Sequence, residues 1–259
     1  MDFSAVKYKR HFIQQMICRI DFLDYLENEI VFDEKVNREI RKDFPNVGKD
    51  QQINFRTIDV DFRGKQPIPS VSGQQVQGIQ KHFAARDGMN KLILSNKFLI
   101  AEIKKYSTFS DFVAVFRQIV NSIYDRKALT TERIGLRYIN VFDSRSIKIK
   151  KVYFASGIAN FLTPIITVDD VKTALIRSMH LSEYRFNDLS LNFRFGCFNS
   201  EYPSPMRRDD FVLDYDCFST EAYTSADQVL EFIHRGHEYI QKLFENSITD
   251  RLRQVMKNG

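Results

Sequence analysis

Tryptophan is absent from this 259-residue chain, and cysteine, glycine and proline are scarce, at 3, 10 and 6 copies. The cysteines, Cys18, Cys197 and Cys217, are far apart and odd in number. None has the close spacing of a zinc site, and so few cannot staple a secreted fold. They read as buried free thiols in a reducing compartment. The glycines are scattered, which excludes a phosphate-cradling Gly-rich loop. No G-x-S-x-G elbow, H-E-x-x-H helix or C-x-x-C pair is present, so no catalytic signature is carried by local sequence. No apolar run approaches the ~18 residues of a membrane-spanning helix, and Met1-Asp2-Phe3-Ser4 does not begin a secretory signal. A soluble, cytoplasmic protein with no membrane partner is the expectation.

What the chain does have is phenylalanine, 23 copies against 11 tyrosines. Phenylalanine carries no polar handle, so most of these rings are expected in a core. Hydrophobic residues make up 43% and charged residues 27%, ordinary values for a globular fold. Net charge is +5, which permits an anionic partner without requiring one. The dense basic runs are Lys7-Tyr8-Lys9-Arg10 and Lys148-Ile149-Lys150-Lys151, each short enough to be a solvated strand end.

Periodicity divides the chain into strands that come in runs and helices that follow them. Period-2 alternation marks strands at residues 15–22, 58–62, 79–83, 92–106, 133–142, 147–154, 189–197 and 211–218. Asp87-Gly88 and Ser95-Asn96-Lys97 are turn signals between successive strands. Helices are expected over 33–44, stopped by Pro45, over 110–124 with Ser110 as cap, over 167–179 from a Thr167/Asp170 capping box, and over 225–244. Thr249 starts a terminal turn of helix. Residues 64–78, rich in Pro, Gly, Ser and Gln, read as a loop. This order predicts an α+β fold, a mostly antiparallel sheet with helices on one face. It is either one domain over 1–259 or two hairpin–helix halves, 1–145 and 146–259, sharing one core.

Several constellations carry chemistry. Arg133 and Arg137 share one strand face with Gly135 between them, and a pair of guanidinium forks suits a phosphate or carboxylate. The same residues would serve a structural ion pair. Asp214 and Asp216, like Asp59 and Asp61, are Asp-x-Asp pairs on strands. Their period-2 spacing turns each pair to one face, suited to a divalent metal, to acid–base work, or to a wetted strand face. His234 and His237 lie one turn apart on the last long helix. His237 falls within the apolar stripe and no nearby carboxylate or Cys completes a ligand set, so it reads as a packed, hydrogen-bonded histidine. The segment from Tyr202-Pro203-Ser204 to Arg207-Arg208 is a loop between strands, a usual place for recognition.

The segment Glu132-Arg133-Ile134-Gly135-Leu136-Arg137-Tyr138-Ile139-Asn140 resembles the R-I/L-G-L-R-Y-I-N strand of a sporadically distributed, uncharacterised prokaryotic family of about this length. Residues 12–22, Phe98-Leu99-Ile100-Ala101-Glu102, Leu213-Asp214-Tyr215-Asp216-Cys217-Phe218 and Phe244-Glu245-Asn246-Ser247-Ile248-Thr249-Asp250 are similar to further stretches of it. Ile79 stands where that family commonly has Trp. The resemblance implies no reaction, cofactor or site. Its patchy distribution is of the kind linked to mobile phage-defence and toxin–antitoxin loci. The expected function is therefore a non-enzymatic binding or regulatory protein that acts on another protein and needs no cofactor. Two alternatives stand beside it: a nucleotide- or metal-dependent enzyme using Arg133, Arg137, Asp214 and Asp216, and a nucleic-acid-binding protein.

Overall fold

A computed structural model describes residues 8–24, 26–55, 59–61, 68–70, 76–162, 176–199, 201–204 and 210–259. In chain order the elements are β1 (Ile13–Phe22), α1 (Asn28–Val31), α2 (Glu34–Asp43), β2 (Asn46–Val47), β3 (Gln51–Phe55), β4 (Asp59–Asp61), β5 (Ile68–Ser70), β6 (Val76–Ala84), β7 (Lys91–Ser95) and β8 (Phe98–Ile103). There follow α3 (Phe109–Tyr124), β9 (Thr131–Phe142), α4 (Ser156–Ala159), β10 (Ser178–Phe186), β11 (Leu189–Cys197), β12 (Phe211–Ser219), α5 (Ala226–Ser247) and α6 (Asp250–Asn258).

A ten-stranded sheet runs β10-β11-β12-β9-β1-β8-β7-β6-β2, with β3 also paired to β6, and every pairing is antiparallel. The fold is thus α+β with a mostly antiparallel sheet, as its alternation predicts. The alternating residues decide which face is dry. Met16, Cys18, Ile20 and Phe22 of β1 are buried with Ile134, Leu136, Tyr138 and Phe142 of β9. Leu189, Leu191, Phe193 and Phe195 of β11 join them, as do Phe211, Leu213, Tyr215 and Cys217 of β12. Side chains of this size contribute about 1.5–3 kcal/mol each when fully buried. The apolar stripes of α3 and α5 cover this face. Gly236 of α5 faces this layer beside Cys217 and Leu136, where a Cβ would rest at ordinary contact distance.

Several expectations need correction. Residues 147–154 alternate like a strand, yet they hold a single 3-10 turn at Lys151–Tyr153 and one bridge, Phe154 to Ile248. The cap of α3 is Thr108, whose hydroxyl accepts from the Asp111 N–H, rather than Ser110. The expected loop over 64–78 contains β5 and the start of β6. Of the expected helix over 167–179, residues 167–175 lie outside the described residues, while Met179 belongs to β10. Asp59 and Asp61 bound β4, which pairs with β5.

Gly196 is the position where backbone geometry most restricts the sequence. Its φ is +148°, and a Cβ there would lie 2.1 Å from the Ser178 carbonyl oxygen. Gly196→Ala should therefore cost about 1–3 kcal/mol of strain and loosen β10 from β11. The check is hydrogen exchange: β10 amides should lose protection while those of β1 and β9 keep it. Unchanged protection in β10 would contradict this account.

Candidate functional site

The four residues singled out from the sequence do meet, on the sheet face away from α3 and α5. Asp216 pairs with Arg137 in the β12–β9 register, and Asp214 with Arg194 in the β12–β11 register. Arg137 donates to Asp214 through both edges of its fork, Nε to Oδ1 at 2.8 Å and Nη2 to Oδ2 at 2.7 Å. Arg194 Nη1 approaches the same carboxylate at 3.5 Å. Arg133 stands 4.0 Å from Asp216 and stacks over the Phe218 ring. Next to them Arg19 forks Asp21 and stacks over Phe98. Burial raises the Asp216 pKa against the lowering pull of Arg133, Arg137 and Arg194. The Asp214 carboxylate raises that of Arg137. The Arg137 charge is spent on Asp214, so this pair ties β9 to β12 and leaves no open anion clamp at Arg137.

The cleft that is open lies on the other face, and sequence reasoning missed most of it. It encloses about 420 Å³ between the start of α3, the middle of α5, the β9 residues Tyr138 and Asn140, and residues 8–13. Because Thr108 caps α3, Phe109 is its first residue and turns its ring into the cleft. There it stacks on His237 at 3.7 Å between centroids, nearly parallel, while His234 meets it edge-on at 5.3 Å. The Tyr138 hydroxyl hydrogen-bonds the His237 Nδ1 at 3.2 Å. Tyr106 meets Tyr138 edge-on at 5.8 Å, and His11 meets Tyr106 edge-on at 5.7 Å. On the far wall Tyr8 donates to Glu245 Oε1 at 2.7 Å. Arg253 Nε donates to the other Glu245 oxygen at 2.8 Å, and Glu238 is exposed at the rim.

His237 and the three tyrosines are held neutral. Burial, with a smaller push from His234, lowers the His237 pKa to about 4. Burial also drives Tyr138 well above its usual value, and it raises Tyr106 and Tyr8. A group that works as acid or base near neutrality needs a pKa near the working pH, and neither His237 nor these tyrosines have one. Among the described residues the cleft lining contains Glu238 and Glu245, the latter paired with Arg253, and neither Lys nor Arg.

His237 is, as its place in the stripe predicts, a packed and hydrogen-bonded histidine; His234 is exposed. Among the described residues no three His, Cys, Asp or Glu gather as a metal site, and no helix is long and apolar enough to cross a membrane. The loop from Tyr202 is described only to Ser204, so Arg207 and Arg208 lie outside the described residues. Arg10 of the first basic run donates to the Ser146 carbonyl at 3.0 Å, two residues before the second run begins. No protein-family model and no curated protein matches the chain. The family resemblance of the β9 segment therefore stands on its motif alone.

Proposed function

We propose that this protein is a non-enzymatic binding module whose cleft receives an arginine or lysine side chain of a protein partner. One observation carries the reading: the cleft joins aromatic faces to the exposed Glu238 carboxylate at its rim, and its described lining residues include no Lys or Arg. A guanidinium or ammonium over an aromatic face gains about 0.5–2 kcal/mol, more as it is desolvated. The half-buried Phe109 and Tyr106 rings supply such surface, and Glu238 supplies a charge at the mouth. An anionic ligand would meet the Glu238 carboxylate at the mouth, the charge of Glu245 being already met by Arg253. The volume falls in the ordinary range for a ligand pocket, about 300–1,000 Å³. The resemblance to a sporadically distributed prokaryotic family supports seeking the partner among products of mobile defence or toxin–antitoxin loci. The enzyme reading built on Arg133, Arg137, Asp214 and Asp216 is disfavoured by the closed Arg137–Asp214 fork.

N-acetyl-arginine amide and N-acetyl-glutamate amide are suitable probes. The arginine compound should shift the amide resonances around Phe109 and His237 saturably at ~1–10 mM, the weak affinity expected of a single side chain. The glutamate compound should leave them unmoved, and Glu238→Lys should abolish the arginine response. Equal response to both compounds, or to neither, would sink the proposal.

A further inference from the structure

We propose that β10 is a self-association edge, where two copies of this chain pair antiparallel about His180 and join their sheets into one. Among the described residues β10 pairs only with β11, so its second edge leaves backbone N–H and C=O groups without a strand partner. Native edges are normally blunted by short strands, Pro, Lys or bulges. The opposite end of this sheet follows that rule, since β2 has 2 residues and β3 has 5. The strand β10 does not: it is 9 residues long, reads Ser-Met-His-Leu-Ser-Glu-Tyr-Arg-Phe, and contains neither Pro nor Lys.

The side chains select the occupant. Ile176, Met179, Leu181 and Tyr184 are exposed by 38, 36, 55 and 38%, an unusual load of large apolar groups for one edge. In an antiparallel pair, residues directly opposite point to the same face and touch. With His180 opposite His180 of the second copy, Met179 lies opposite Leu181 and Leu181 opposite Met179. Ile176 then lies opposite Tyr184, Ser178 opposite Ser182, and Arg177 opposite Glu183, each twice by symmetry. Every exposed apolar group on this edge gains an apolar partner, and the two charges gain opposite ones. Arg177 is already oriented by stacking over the Tyr202 ring at 4.6 Å. A strand of unrelated sequence would not meet this pattern, whereas a second copy does so on both sides of the two-fold axis. That is the self-complementarity required of an isologous interface.

The test uses the full chain. Light scattering at ~50 µM, a concentration suited to micromolar association, should give a dimer. Leu181→Lys, at an exposed position, should weaken it about 100-fold by placing a charge against Met179, with an unchanged circular dichroism melt. His180→Cys should cross-link to itself under mild oxidation, because opposed Cα atoms of an antiparallel pair lie about 4.5–5.5 Å apart, within disulfide reach. Tyr184→Cys and the wild-type chain should not cross-link. A monomeric wild type, a dimer that survives Leu181→Lys, or cross-linking at position 184 instead of 180 would each overturn the proposal.

Discussion

Replacing Arg137 by methionine should lower the stability of the fold by about 3 kcal/mol, the low end of the 3–5 kcal/mol seen when one partner of a buried ion pair is removed. The size follows from Asp214, whose side chain is only 6% exposed and receives both edges of the Arg137 fork. Without that fork the carboxylate keeps only Arg194, at 3.5 Å, as a partner. The half-wet position of Arg137, 37% exposed, holds the loss to the low end. For a chain of this length the melting temperature should fall by about 6–12 °C. Arg133→Met should cost at most about 1 kcal/mol, because Arg133 stands 4.0 Å from Asp216 and forms no forked pair. The double variant Arg137→Met with Asp214→Leu should recover most of the loss, since well-packed apolar groups commonly replace a buried pair without penalty. A wild-type melting curve for Arg137→Met would show that the pair is not structural.

Acidification should cost the protein about 3 kcal/mol at His237 alone. The unfolded chain protonates this histidine at its ordinary value near 6.5, whereas the folded chain resists until about 4. Between those values the proton binds the unfolded state preferentially, so stability is flat above pH 6.5 and falls as pH drops toward 4. A difference of 2.5 units at ~1.36 kcal/mol per unit sets the size. The cause is the surroundings of the ring. Phe109 covers one face, His234 disfavours a second positive charge nearby, and Tyr138 supplies a single hydrogen bond. Carboxylates titrate in the same range, so the measurement is a comparison of urea unfolding for wild type and His237→Gln from pH 7 to 4. The wild-type curve should fall more steeply by about 3 kcal/mol. Parallel curves would contradict the burial of His237.

Much of the frame was legible. The alternations at 189–197 and 211–217 are neighbouring antiparallel strands with their apolar residues inward. Asp33 and Ser225 cap helices where the polar residue precedes the stripe. Residues 147–154 show the limit of such reading: alternation records that one side of a segment is dry, but a strand also needs a hydrogen-bonding neighbour, and this segment bridges only through Phe154. The β10 strand was missed for the converse reason. Its apolar residues change phase, with Met179 and Leu181 on odd positions and Tyr184 and Phe186 on even ones, so the sequence shows no single period-2 face.

The sequence by itself determined the α+β class, the dry face of each central strand and the helix that carries His237, because those depend on side-chain order along one segment. Only the tertiary structure decided which charges meet and where the cleft opens. Arg137 and Asp214 are 77 residues apart and become partners because β9 lies between β1 and β12. His237 and Tyr138 are 99 apart and meet because α5 crosses the sheet above β9. Strand order and register are set by the fit of a whole buried face, and no local pattern records them.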